Sequence, residues 1–216
     1  MLLRLNSGLK IAISPIFPWE SRNVDLLKIR SARAFYPDHV TTRLCLDLLD
    51  SNITDGGCTS LLDVGCGSGI LALAAARLGV PFVVGFDIEV KAVRNSIQNA
   101  EANDLNCKSH WFVGTSNALT EGFDCVVANL PYQVICGILE DLSRLINYGG
   151  QLILSGFQDI DWAPLSKELA NLGLSVKKVL SGDRSFYGIP PSGSFTWMAV
   201  LLISGSAEVC RNKEGI

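Results

Sequence analysis

Apolar runs of strand length recur along this chain at residues 60–64, 81–86, 109–113, 123–128, 151–154, 174–180 and 195–203. Between most of them the apolar positions fall at helical spacing. Leu44, Leu48 and Leu49 share a face within 41–50, as do Val93, Ile97 and Ala100 within 90–103, and Ile135, Ile138, Leu142 and Leu145 within 134–146. Alternating strand and helix predicts an α/β fold: a Rossmann-like, mostly parallel, seven-stranded sheet with helices on both faces. The last two strands are separated only by 181–194, too short for a crossover helix, so the final strand should run antiparallel and close one edge as a hairpin. Gly188-Ile189-Pro190-Pro191-Ser192-Gly193 cannot continue either strand and predicts an exposed loop.

The alternation starts only near residue 39. Ahead of it, 2–5 and 9–13 flank Asn6-Ser7-Gly8 as a small hairpin, while Pro15, Pro18 and Trp19 resist regular structure. Residues 1–38 are therefore expected as a lead-in packed on the core, 39–206 as the main domain, and 207–216 as a polar tail.

Composition narrows the partners. A formal charge of −3 and the absence of any Lys/Arg run argue against tight unaided nucleic-acid binding and favour a protein or small-molecule substrate. Seven cysteines occur without a CxxC pair, and only His39 and His110 could join them as nitrogen ligands, so no metal site is expected. Free thiols, no signal peptide and no spanning apolar segment predict a soluble cytoplasmic protein, not a membrane one.

The chemistry begins at Leu61-Leu62-Asp63-Val64-Gly65-Cys66-Gly67-Ser68-Gly69, a strand that ends on an acid and breaks into a glycine-rich turn before a helix from Ile70 to Leu78. Such a turn brings backbone close to a ligand at a helix N-terminus. Dinucleotide fingerprints place glycine where Ile70 stands, so that pattern is broken. Asp63 is poorly placed beside a pyrophosphate but compatible with an ammonium and a sulfonium, both carried by S-adenosylmethionine. Asp87, ending the next strand, stands where a carboxylate accepts from both ribose hydroxyls. Other readings stay open: Asp63 as a solvated loop residue, and Asp87 as a cap for the helix near Glu89. Ile88 is placed to cover an adenine face and Thr115-Ser116-Asn117 to meet its amino edge, with Asn117 foremost and a turn-forming role for it the alternative.

At the end of the fourth strand stands Asn129-Leu130-Pro131-Tyr132. A side-chain amide and a proline-stiffened carbonyl can hold an acceptor N–H while its lone pair faces a methyl donor, and Tyr132 can stack on a planar acceptor. The alternative is that Asn129 and Pro131 shape a turn and Tyr132 covers the core.

Together 61–79, 84–103 and 124–157 resemble class I S-adenosylmethionine-dependent methyltransferases, most closely the PrmA-type enzymes that methylate a large-subunit ribosomal protein. Ala34-Phe35 followed by His39-Val40-Thr41-Thr42-Arg43-Leu44 is similar to that family's A-F-G-T-G-x-H-x-T-T stretch, a lid over the cofactor. The resemblance spans roughly residues 9–160 and includes Leu152–Gly156 after Gly149-Gly150. It implies S-adenosylmethionine as cofactor and S-adenosylhomocysteine as product. It also implies His39, Thr41, Thr42, Asp63, Gly65, Cys66, Gly67, Ser68, Gly69, Asp87, Ile88, Ser116, Asn117 and Asn129 around the cofactor, and Asn129 through Tyr132 around the acceptor.

Three departures qualify it. Tyr36-Pro37-Asp38 replaces the G-T-G part, too few residues precede the core for the family's N-terminal recognition domain, and Asn-Leu-Pro-Tyr stands where that family tends to have N-I-L-A. The last motif resembles that of enzymes acting on adenine amino groups or glutamine amides. The expected function is methyl transfer to a nitrogen, with a ribosomal protein as candidate acceptor; an adenine-amino or glutamine-amide methyltransferase and a non-catalytic cofactor-binding scaffold are the rivals. His39 stands as a candidate base or as a structural residue at the mouth.

Overall fold

The computed structural model describes residues 1–14, 26–30, 37–53, 57–182 and 196–205. The expected loop at 188–193, Pro15, Pro18 and Trp19, the Ala34-Phe35-Tyr36 stretch and the tail 207–216 lie outside the described residues.

Seven strands form one sheet: β4 (Ser60–Val64), β5 (Phe82–Asp87), β6 (Ser109–Val113), β7 (Phe123–Asn129), β8 (Ile146–Gln158), β9 (Leu174–Gly182) and β10 (Trp197–Ser204). Their order is β6-β5-β4-β7-β8-β10-β9. Pairs from β6 through β8 are parallel, whereas β10 runs antiparallel to both β8 and β9. The sequence expectation of a mostly parallel sheet with an antiparallel last strand is met, with one refinement: β10 inserts beside β8, leaving β9 at the edge.

Side-chain alternation divides the core into two layers. Leu61, Val83, Cys125, Val127, Ile153 and Leu201 point to the face covered by α1 (Val40–Ile53) and α2 (Ile70–Arg77). Leu62, Val84, Val126, Ala128, Leu154 and Val200 point to the face covered by α4 (Tyr132–Arg144) and α5 (Asp159–Asn171). Central strands apolar on both faces are what a sheet buried between helix layers requires. α3 (Val90–Glu101) packs across β5 and β6. No helix among the described residues is long and apolar enough to cross a membrane.

A second sheet is built from β1 (Leu2–Arg4), β2 (Lys10–Ser14) and β3 (Leu26–Arg30). The β1–β2 pair is the hairpin expected around Asn6-Ser7-Gly8. β3, added parallel to β2, was not apparent in the sequence. Leu3, Ile11, Leu27 and Ile29 join the core layer of α1 and α2.

The chain enters the main sheet at its centre, runs outward through β5 and β6, and returns to β7 on the other side of β4. Helices after β4 and β7 therefore diverge, and a crevice opens at the carboxyl ends of these two strands.

Candidate active site

The crevice is a cavity of about 430 Å³ lined by Pro37, His39, Thr41, Thr42, Asp63, Gly65, Cys66, Gly67, Ser68, Ile70, Leu71, Asn129, Leu130, Pro131, Gly156 and Trp197. Its floor is the glycine-rich turn. Gly65, Gly67 and Gly69 take φ of +70°, +55° and +75°, a region where a side chain is strained, and this lets the backbone turn from β4 into α2 within five residues. The turn is pinned to the next strand, because the N–H groups of Gly65 and Cys66 both donate to the Phe86 carbonyl at 2.9 Å.

Asp63 is 2% exposed, and its Oδ2 accepts the Ala72 N–H at 3.1 Å. It is thus neither a solvated loop residue nor free of the helix: from β4 it caps the first turn of α2, stabilising one donor that the helix cannot satisfy internally. Burial pushes its carboxyl up to about 7; the Ala72 N–H works against that rise, and the negative Asp87 adds to it. A buried carboxylate this reluctant to ionise, facing a cavity, favours a cationic ligand group. Burial likewise raises the Cys66 thiol, whose Sγ lies 3.5 Å from Ser96 Oγ, so this cysteine is not a ready nucleophile.

Asp87 ends β5 and is 9% exposed. One carboxylate oxygen accepts the Gly67 N–H at 3.1 Å and the other the Glu89 N–H at 3.0 Å. It ties the turn to β5 and also orders the entry to α3, so the capping alternative and a ligand role are compatible: each oxygen retains a lone pair. Ile88 beside it is 72% exposed.

Over the opposite wall lies the start of α1. His39 occupies the position before the helix, and its Nδ1 accepts the Thr41 N–H at 3.3 Å and lies 2.9 Å from Thr41 Oγ1. An Nδ1 that accepts from a backbone N–H leaves the proton of the neutral ring on Nε2, an assignment made from the hydrogen bonds. The imidazole meets Trp197 edge to face at 5.0 Å. Thr42 Oγ1 accepts from Asn129 Nδ2 at 3.2 Å, joining α1 to the end of β7.

The Asn129-Leu130-Pro131 backbone is clamped by β8. Leu130 N–H donates to the Ser155 carbonyl at 3.0 Å, and Gly156, at φ +100°, lies so close that an added Cβ would fall on the Leu130 carbonyl.

The structure thus gathers His39, Thr41, Thr42, Asp63, Gly65, Cys66, Gly67, Ser68, Asn129, Leu130 and Pro131 around one cavity, with Gly69 and Asp87 bracing the turn. Others fall outside it. Ser116 is 5% exposed, in a short 3-10 turn (Ser116–Ala118), and its hydroxyl proton is committed to Asp141 Oδ2 of α4 at 2.6 Å. Neighbouring Asn117 is exposed. Tyr132 opens α4 and packs on the Leu62–Val84 core layer; its hydroxyl, paired with Cys136, is raised to about 12.

Trp197, Gly156 and Pro37 were not read from the sequence as site residues. Trp197 had a usable signal: an antiparallel last strand begins where its parallel neighbours end, so the first residue of β10 must stand at the sheet's ligand-binding edge.

A family model described as ribosomal protein L11 methyltransferase (PrmA) matches residues 10–183. The ribosomal protein L11 methyltransferase of Neisseria meningitidis is 44% identical over 122 residues, 56% of this chain and 39% of that protein. That of Clostridium botulinum is 34% identical over 141 residues, 65% of this chain and 44% of that protein. The chain therefore spans about two fifths of the length of the curated relatives it matches. Among solved structures, a ribosomal protein L11 methylase from Lactobacillus delbrueckii subsp. bulgaricus superposes with TM-score 0.75 at 21% identity, over 95% of this chain and 98% of that one. A magnesium protoporphyrin IX methyltransferase from Synechocystis PCC 6803 with bound SAH superposes with TM-score 0.61 at 18% identity, over 77% and 84%. At these identities the likeness is one of fold, while the family match extends over most of the sequence. The chain belongs to the ribosomal protein L11 methyltransferase (PrmA) family.

Proposed function

We propose that this chain is an S-adenosylmethionine-dependent methyltransferase that transfers a methyl group to a nitrogen of a protein, with a ribosomal protein of the L11 kind as candidate acceptor. The observation that carries this is that Asp63, a buried carboxylate suited to a cation, and Asn129, a side-chain amide, stand at the ends of adjacent strands and line one cavity around the glycine-rich turn.

Bound there, the cofactor would supply a methyl carbon open to in-line attack by an acceptor nitrogen, the N–C bond forming as the S–C bond breaks, with S-adenosylhomocysteine leaving as a neutral thioether. Asp63 would face the ammonium and sulfonium end, Asp87 would accept from the ribose hydroxyls, Ile88 would cover the adenine, and Asn117 would meet its amino edge. Gly65 to Gly69 let the backbone approach. His39, Thr41 and Thr42, with Trp197 and Pro37, close the mouth and exclude water. Such transfer needs an aligned, desolvated acceptor with its lone pair free, and no nucleophilic side chain. Asn129 and the Leu130 carbonyl align it. A lysine acceptor, ordinarily protonated to about pH 10.4, loses its proton more readily beside the cationic cofactor in a buried site. His39, whose Nδ1 caps α1, acts in positioning and not as the base.

A second substrate class, an adenine amino group of a nucleic acid, is favoured by one feature: Leu130 is clamped by Ser155 and Gly156, which fixes a carbonyl in the manner a planar aromatic amine requires. Transfer of labelled methyl from the cofactor into purified L11-type protein, and into a cell extract treated with protease or nuclease, decides between them. Label on protein supports the first reading; loss of label to nuclease overturns it.

A further inference from the structure

Asn95, Asn99 and Asn103 recur every fourth residue along the buried side of α3 and its C-terminal end, at 5%, 1% and 5% exposure. Buried amides are costly unless their hydrogen bonds are made. These are made to the backbone of β3. Lys28 N–H donates to Asn103 Oδ1 at 2.8 Å, and Asn103 Nδ2 returns a bond to the Lys28 carbonyl at 2.7 Å. Arg30 N–H donates to Asn99 Oδ1 at 2.8 Å, and the Arg30 carbonyl accepts from Nδ2 of both Asn99 and Asn95 at 3.3 Å. The match has a geometric origin: four helical residues rise about 6 Å, close to the rise of two strand residues. α3 therefore serves β3 as a neighbouring strand would, on the edge that β2 does not occupy.

Asn99 has a further partner. Its Nδ2 also donates to the Ser68 carbonyl, in the glycine-rich turn, at 2.8 Å, while Ser96 Oγ donates to the Gly67 carbonyl at 3.2 Å. In a trans peptide C=O and N–H point in opposite directions, so carbonyls 67 and 68 drawn toward α3 turn the N–H groups of Ser68 and Gly69 away from it. Asn103 holds β3 in the same way but makes no bond to the turn.

We propose that Asn99 is a positioning residue for the cofactor turn: by holding Arg30 of β3 and the Ser68 carbonyl with one amide, it couples the seating of the N-terminal sheet to the shape of the turn and so to cofactor affinity. This rests on the S-adenosylmethionine reading above. The coupling gives the small sheet a role beyond packing, because β3 precedes Pro37 and His39, which line the cavity mouth.

The test compares Asn99→Ala with Asn103→Ala by calorimetric titration of S-adenosylhomocysteine and by thermal unfolding without ligand. Both lose bonds to β3, so both unfold at lower temperature. Only Asn99→Ala is expected to weaken ligand binding, about five- to tenfold, the worth of one or two buried hydrogen bonds. Asn99→Asp keeps the acceptor for Arg30 N–H and removes the donor to Ser68. It is expected to lose affinity similarly, and it carries the test if the alanine variant does not fold. Equal affinity in Asn99 variants and wild type, or an equal loss in Asn103→Ala, overturns the proposal while leaving the cofactor reading intact. A wild type that does not bind S-adenosylhomocysteine overturns the cofactor reading and this proposal with it.

Discussion

The side-chain amide of Asn129, ending β7, donates to the hydroxyl of Thr42, 87 residues earlier on α1, at 3.2 Å. That bond fixes the amide plane at the cavity wall, so Asn129→Ala is expected to lower turnover about 100-fold, as small misplacements of an acceptor do, while S-adenosylhomocysteine affinity changes less than threefold. Thr42→Val should produce a smaller fall of the same kind. Single-turnover rates beside equilibrium titration check both; a variant Asn129→Ala with retained turnover would make the residue structural.

Asp63 gives a pH signature. Its carboxyl, ordinarily near 3.8, is held at about 7 in the fold, so the folded protein binds this proton more tightly than the unfolded one. The sign follows: this group's contribution to stability falls as pH rises from about 4 through about 7. A cationic ligand pairs with the ionised form, so its affinity should rise with pH up to about 7, by at most tenfold per unit, and level off above. Asp63→Asn, which keeps an oxygen for the Ala72 N–H, should abolish that dependence, weaken ligand binding and raise the melting temperature of the ligand-free protein above pH 7. Titrations from pH 5.5 to 8.5 measure it.

Asp87 carries two backbone hydrogen bonds as well as its proposed ribose contacts. Asp87→Ala is accordingly expected to weaken S-adenosylhomocysteine binding by roughly 1.5 to 3 kcal/mol and to loosen the turn, seen as faster amide exchange at Gly67. An unchanged dissociation constant would remove the ribose role.

Gly156 permits the closest approach in the site. Gly156→Ala combines an unfavourable φ of +100° with a Cβ driven onto the Leu130 carbonyl. The expected outcome is a loss of about 1 to 3 kcal/mol in stability and a larger proportional loss of turnover than of cofactor binding, read from chemical denaturation and steady-state kinetics.

Far from the cavity, Asp124 joins β7 to the start of β4. Burial alone would raise its carboxyl, but hydrogen bonds from Thr59, Asn147 and Ser60 win and lower it to about 2. Because the folded value lies below the unfolded 3.8, its contribution is complete above about pH 4 and lost as pH falls toward 2. Asp124→Ala should lower the melting temperature at pH 7 and flatten its decline between pH 4 and 2.

What could be read in advance followed from how strongly local pattern constrains structure. β4 and β6 are legible to the residue because each is a short strand-forming run between polar breaks, β4 buried from Leu61 to Val64 and β6 an edge strand with His110 and Val113 exposed. β3 is not legible because its partners are remote: β2 pairs with it in parallel from Lys10 opposite Leu26, with no hairpin turn to mark the pairing, and its other edge is held by asparagines some seventy residues away. α5 is not legible because Leu165 and Leu169 are its only buried positions and Pro164, a residue that ordinarily breaks helices, lies inside it. In the site, the turn, Asp63, Asp87 and Asn129 were legible as motif. The capping role of Asp63 and the commitment of Ser116 to Asp141 depend on which helix packs where, which no local pattern encodes.

Calorimetric titration of the wild-type chain with S-adenosylhomocysteine, alongside NAD, tests the central claim most directly. Micromolar binding of the former with no heat from the latter is expected from a cavity lined by the buried Asp63 carboxylate and carrying Ile70 where a dinucleotide site has its last glycine. Silence toward S-adenosylhomocysteine, or binding of NAD in its place, would contradict it.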